Sequence, residues 1–165
     1  MLCFSYGSNM SLARLRSRVV LSRTVAVATL PAHRLRFHKI SKDGSGKCDA
    51  EATGNPDDRV VGVVYEISDD DKPVLDRTEG LGAGYAEKAV EVITDQGTVT
   101  SLMYFATRVD AALKPYRWYK EHVLFGASEN GLPSEYIAQI EAVETIDDPD
   151  IARSVRELAI YHWRS

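Results

Sequence analysis

The chain opens on an alternation of apolar and polar residues, "LCFSY" (Leu2–Tyr6), which predicts a strand that stops at Gly7. Helical spacing begins at Ser11, with Leu12 and Leu15 on one face and Ser11 as N-cap. "RTVAVATLP" (Arg23–Pro31) and "HRLRFHKI" (His33–Ile40) alternate again and predict two strands. Ser41–Asp58 is rich in Gly, Asp and Ser, so it is expected as loop with one short strand around Ala50–Thr53. "RVVGVVYEI" (Arg59–Ile67) is almost continuously apolar and β-branched, as a central strand covered on both faces would be. Ser68–Gly80 starts with a cap residue and three acids and ends in Gly, which predicts a short helix. "YAEKAVEVIT" and "TVTSLMYFAT", separated by "DQG", predict a hairpin. Three helices close the chain. The first stops at Gly131. The second covers "LPSEYIAQIEAVE", with Tyr136, Ile140 and Val143 on one stripe. The third covers "DPDIARSVRELAIYHW", with Ile151, Val155 and Leu158 spaced for burial. Strands, an inserted helix, more strands and then helices indicate an α+β fold: a small mixed β-barrel with helices packed around it.

Composition narrows the class. At 165 residues, with no repeat, linker or low-complexity segment, the chain is expected to form one domain over residues 1–165. Hydrophobic residues make up 44% and charged residues 27%, enough for an ordinary core. A net charge of −4 without any long basic run argues against a nucleic-acid surface. No apolar run reaches the length of a membrane span, and the N-terminus lacks a basic region followed by an apolar segment. The expected location is therefore cytoplasmic, with no membrane partner. Cys3 and Cys48 match no metal or redox spacing, and Cys3 is expected to be a reduced, buried thiol. The apolar "AIYHW" near the end is compatible with a homodimer interface, although closing the core is the commoner use of such a segment.

Several residues invite a chemical reading. The glycines of "GLGAG" (Gly80, Gly82, Gly84) follow a helix and precede a strand, the reverse of a dinucleotide-binding loop, so a closely packed or mobile loop is expected. His33, His38, His122 and His162 show no paired ligand spacing, and no serine stands in a nucleophile elbow. Glu79 lies in the last turn of its helix, where a carboxylate faces the negative end of the dipole at a cost of roughly 0.3–1 kcal/mol. Either it is solvated there or, if partly buried, it becomes a stronger base. The glycines beside it would let a ligand approach the backbone. In "FSYGSNM", Gly7 is expected to turn the chain at unusual dihedrals. The amides of Gly7, Ser8 and Asn9 then precede a helix start and can converge on an anion or a developing oxyanion. A plain strand–turn–helix connection accounts for the same residues.

Three stretches in order resemble the γ-glutamylcyclotransferase family: "YGSNM", "LDRTEGLGAGY" (Leu75–Tyr85) and "YKEHVLFGASENGLPSEY" (Tyr119–Tyr136). The resemblance covers about residues 2–143, and "GASENGLPSEY" is similar to the vertebrate branch. It implies a small mixed β-barrel, no cofactor and no metal. It implies a small-molecule γ-glutamyl substrate that is cyclised to 5-oxoproline with release of an amino acid. It places the general acid/base at Glu79 and the glutamyl-binding turn at Ser5, Tyr6, Gly7, Ser8 and Asn9. Pocket tyrosines fall at Tyr119 and, with a one-residue shift, at Tyr85. Asn9 departs from the glutathione-specific branch, which carries another residue after "YGS". "GLGAGYAE" and Ser41–Asp58 depart from the vertebrate pattern, which leaves the leaving group open. Other readings stand beside this one: a cyclotransferase for γ-glutamylamines or a γ-glutamyl-protected metabolite, or a non-catalytic binding domain of the same fold. The proton transfer has a definite energetic demand. Moving a proton from an α-ammonium to an ordinary glutamate is uphill by roughly 5 kcal/mol.

Overall fold

The computed structural model describes residues 1–19 and 22–161. Five strands close a mixed barrel: β1 (Leu2–Ser5), β2 (Ser22–Pro31), β5 (Arg59–Ile67), β6 (Tyr85–Thr94) and β7 (Gly97–Ala106), in the order β1-β5-β2-β6-β7. Neighbours run antiparallel except at the seam, where β1 meets β7 in parallel with Cys3 opposite Leu102. The uninterrupted apolar run of β5 is buried from Val60 to Tyr65, as its composition requires. Gly62 stands within that run for a steric reason. A Cβ there would lie 2.4 Å from the Ser5 carbonyl oxygen and under 3 Å from the Phe4 ring. The first strand can therefore press against β5, and Tyr6 follows just beyond its end.

Ser41–Asp58, expected as loop with one short strand around Ala50–Thr53, contains a longer and earlier strand, β4 (Gly46–Ala52). It pairs antiparallel with β3 (His33–Ile40) as a separate two-stranded sheet beside the barrel. Its first half was not legible in the composition, because a buried aspartate sits mid-strand. Asp49 is 6% exposed and accepts from the Ala106 amide at 2.8 Å, with His38 Nε2 at 2.9 Å. The charge is thus satisfied by groups far away in sequence, which no local pattern displays.

Helix α1 (Leu12–Arg16) is capped by the Ser11 side chain, as expected. Helix α2 (Lys72–Glu79) starts later than its acidic run suggested; the Ser68 hydroxyl accepts from the Asp71 amide one turn earlier. Helices α3 (Arg117–Glu129) and α4 (Ser134–Glu141) cover the barrel with Trp118, Tyr119, Val123, Tyr136 and Ile140 buried, and Val143 packs at the edge of this core. Helix α5 (Ile151–Leu158) corrects the burial expected there: Ile151 and Val155 are 75% and 66% exposed, and only Leu158 packs against the core. Polar contacts dock it instead, through Arg153 on Asp148 and Glu157 on Arg14. The expected end of this helix, with His162 and Trp163, lies outside the described residues.

One part-buried polar chain joins the end of α5 to the start of α1. Arg14 Nη1 stands 2.9 Å from His122 Nε2, and His122 Nδ1 stands 2.7 Å from the Tyr161 hydroxyl. His122 Nε2 also stands 3.1 Å from Glu157 Oε2, so this ring nitrogen faces a guanidinium and a carboxylate at once. Tyr161 in turn donates to Ser11 Oγ at 3.0 Å. Burial pushes the His122 imidazole down to about 4. Contacts with His122 and Arg14 hold the Glu157 carboxyl down at about 2. Both groups bind protons more weakly folded than unfolded, so stability rises with pH through their titration. The His122 contribution is complete above its ordinary value of 6.5 and is lost as pH falls towards 4. The melting temperature is therefore expected to drop between neutral pH and pH about 4, and His122→Gln is expected to flatten that slope. Thermal denaturation followed by circular dichroism across this range measures both; a wild-type profile as flat as the variant's would contradict the neutral, buried imidazole.

Candidate active site

The turn after β1 is held by two glycines that have no room for a side chain. Gly7 has φ −118° and ψ −142°, outside the ordinary strand and helix regions but with a negative φ, so no left-handed conformation calls for glycine here. Close approach does. A Cβ on Gly7 would lie 2.9 Å from Cys48 Cβ and 3.4 Å from the Tyr119 hydroxyl. From the other side, a Cβ on Gly126 of α3 would lie 2.4 Å from the Ser11 amide nitrogen and 2.5 Å from the Met10 carbonyl carbon. The turn is thereby pressed between β4 and α3. Tyr65 and Asn130 both donate to the Met10 carbonyl, at 2.6 and 3.0 Å. Residues Ser8–Met10 form a 3₁₀ turn, in which Met10 donates to Gly7 and Ser11 to Ser8. The amides of Ser8 and Asn9 precede the first of these bonds, so the turn's own ladder does not use them.

Glu79 meets this turn directly. It ends α2, and Gly80 caps the helix in the left-handed region at φ 76°. Gly82 and Gly84 also have positive φ, so "GLGAG" is a tight reversal into β6. Asn9 Nδ2 donates to Glu79 Oε1 at 2.7 Å, and Arg18 Nη1 donates to the same oxygen at 2.6 Å and to Asn9 Oδ1 at 2.8 Å. The Arg18 and Glu79 side chains are only 18% and 16% exposed, so this ion pair is shielded from solvent. Glu79 is accordingly not the solvated surface residue that its position in sequence also allowed. Among the described residues Oε2 has no hydrogen-bond partner.

Ser5, Tyr6, Gly7, Ser8, Asn9, Glu79, Tyr85 and Tyr119 all line one pocket. Every residue expected at the site is therefore brought to the same place, although they come from β1, the turn, α2, β6 and α3. The tyrosines are fixed by backbone partners. Tyr6 donates to the Tyr104 carbonyl at 2.5 Å and Tyr85 to the Cys48 carbonyl at 2.7 Å, while Tyr119 accepts from the Cys48 amide at 3.1 Å. Burial pushes all three phenols far above their ordinary range, so they act as neutral groups. Cys48 also lines the pocket, and burial pushes its thiol up to about 12, which removes it as a nucleophile. Phe4 and Tyr104 complete the wall. Sequence reasoning missed these residues and, more importantly, Arg18. The only signal for Arg18 was a basic residue two turns after the "YGSN" motif. Among the described residues no group of three His, Cys, Asp or Glu side chains is placed to hold a metal ion.

The AIG2-like family model matches residues 59–140, which include Glu79, Tyr85 and Tyr119. A curated γ-glutamylcyclotransferase of Homo sapiens is 34% identical over 152 residues, covering 88% of this chain and 80% of that protein. The chain belongs to the γ-glutamylcyclotransferase family. A solved γ-glutamyl cyclotransferase shares the fold with a TM-score of 0.87 at 29% identity over 98% of both chains. The crystal structure of an uncharacterised human protein gives a TM-score of 0.81 at 32% identity, over 88% of this chain and 89% of that one.

The close packing of α3 on the turn gives a direct test. Gly126→Ala is expected to destabilise the protein by about 1–3 kcal/mol through overpacking against backbone, lowering the melting temperature by several degrees. A thermal denaturation curve that superposes on the wild type would contradict the clamp.

Proposed function

We propose that the protein cyclises a γ-glutamyl amide to 5-oxoproline with release of the amine-bearing product, an amino acid, and that Glu79 is the general acid/base. The observation that carries this reading is the Asn9–Glu79 hydrogen bond, which joins the glutamyl-binding turn to the base. Kinship with proteins named γ-glutamylcyclotransferases supports the reaction class.

The residues account for each step. The substrate's α-ammonium passes a proton to Oε2 of Glu79, the oxygen without a protein partner. The freed amine attacks the γ-carbonyl carbon, forming the ring C–N bond. The amides of Ser8 and Asn9 face the developing oxyanion, an interaction worth about 2.7–4 kcal/mol per donor. The tetrahedral intermediate collapses as Glu79 returns its proton to the leaving nitrogen. The ring nitrogen sheds a second proton, which leaves the product as an ammonium. Arg18 contributes from the other oxygen. Its guanidinium and Asn9 hold Oε1, which fixes the orientation of the carboxylate and leaves Oε2 directed at the substrate. Holding the chain folded supplies the remaining advantage, since ring closure is intramolecular.

Both cysteines are buried and unpaired, a usage that fits the reducing interior of a cell. No helix among the described residues is long and apolar enough to cross a membrane.

Glu79→Gln keeps the shape and one acceptor oxygen but cannot carry the proton. It is expected to retain the wild-type circular dichroism spectrum while 5-oxoproline release falls on the order of 10²–10⁴-fold. Release close to wild type from a folded variant would remove Glu79 from this role.

A further inference from the structure

Glu79 borders a second cavity as well as the glutamyl pocket. The pocket at the turn is narrow, about 40 Å³, and is walled by phenols, backbone and Cys48. The second, about 340 Å³, is a groove lined by Lys39, Lys42, Arg77 and Arg108 together with Glu79 and Gly80. Four cations thus stand beside one carboxylate in a protein whose net charge is −4. None of the four has a carboxylate in ion-pair contact among the described residues, whereas most other cations of α2, β3 and β4 do, including Arg34, Arg36, Lys47 and Lys72. Lys39 is half-buried and lies over the Tyr85 ring at 4.6 Å. A Cβ on Gly84 would press within 3.0 Å of Lys39 Cε, so the tight reversal leaves space for this side chain. Burial lowers the proton affinity of Lys39, and Lys42 and Arg108 act in the same sense, against the pull of Glu79 and Asp43. Like charges without carboxylate partners facing one cavity, one of them half-buried and three exposed, repel one another until an anion enters.

The chemistry of the reaction says what that anion would be. One carboxylate serves both the attacking amine and the leaving nitrogen, so the leaving nitrogen must lie within hydrogen-bond reach of Glu79. Whatever is attached to that nitrogen extends away from the glutamyl pocket, into the other cavity that Glu79 borders. We propose that the Lys39–Lys42–Arg77–Arg108 groove is the leaving-group subsite and binds the carboxylate of the departing amino acid. It selects γ-glutamyl amino acids over γ-glutamylamines, and acidic leaving amino acids over neutral ones. Four cations exceed what one α-carboxylate needs, and a second carboxylate on the leaving residue uses the excess. This assignment rests on the cyclotransferase reading.

Release of 5-oxoproline from γ-glutamyl-glutamate, γ-glutamyl-alanine and γ-glutamyl-methylamide tests it. The expected order of kcat/KM is glutamate, then alanine, then methylamide, with about tenfold or more between the first and the last. The double variant Arg77→Gln/Arg108→Gln, at two exposed positions, is expected to collapse that ratio mainly by raising KM for the glutamate substrate. Added salt is expected to act on the wild type in the same direction. Methylamide turned over as well as the amino-acid substrates, or an equal loss on all three in the variant, overturns the subsite. Should the double variant fail to fold, Lys42→Gln and the salt series on wild type decide in its place. Failure of the wild type to act on any of the three removes the cyclotransferase reading instead. In that case calorimetry of γ-glutamyl-glutamate binding to Glu79→Gln still reads the groove, and absent binding, or binding indifferent to Arg77 and Arg108, overturns it.

Discussion

The packing of α3 and β4 against the turn after β1 is the constraint on which the site depends. Gly126 allows the helix to meet the Met10–Ser11 backbone, and Gly7 allows the turn to meet Cys48 and Tyr119. Backbone pressed between two elements cannot relax outward, so the direction of its amides is set by the core. Asn9 inherits that rigidity and passes it to Glu79 through one hydrogen bond. A base at a helix end, otherwise free to sample rotamers, is thereby referred to the same frame as the amides that would face its substrate. The C-terminal region reinforces the frame, since Tyr161 and His122 reach Ser11 and the α1 start through part-buried hydrogen bonds.

Charge is distributed on the two sides of Glu79 in opposite ways. Towards the turn the wall is neutral: four buried phenols and a thiol, each held in its protonated form by burial. A single cation, Arg18, is committed to the carboxylate there. Away from the turn, four cations face open space. A zwitterionic glutamyl headgroup suits hydrogen-bonding dipoles, which do not bias it towards either charge. An anionic leaving group suits a field of one sign.

Much of the fold was legible. The apolar run of β5, the "DQG" hairpin, the Ser11 cap and the helix ending at Gly80 depend on local patterns, and each appears where those patterns placed it. The misses share a cause. β4 was expected short and late because Asp49 is satisfied by Ala106 and His38, which lie outside the strand's own sequence. The apolar face of α5 looked inward-facing because spacing alone cannot say which side of a helix meets the core. Ion pairs from Arg153 and Glu157 settled the side.

The sequence by itself determined the chemistry on offer: a glycine-containing turn with small polar residues, a carboxylate at a helix terminus, and tyrosines that resemble a family's pocket. These are statements about residue type and spacing, which local steric and hydrogen-bonding rules make readable. Only the tertiary structure decided that the carboxylate is paired with Arg18, that Gly7 serves close approach rather than a left-handed conformation, and that four scattered basic residues face one groove. Each of these depends on distances between residues far apart in the chain. Burial and Coulomb interactions act through those distances, and no local pattern encodes them.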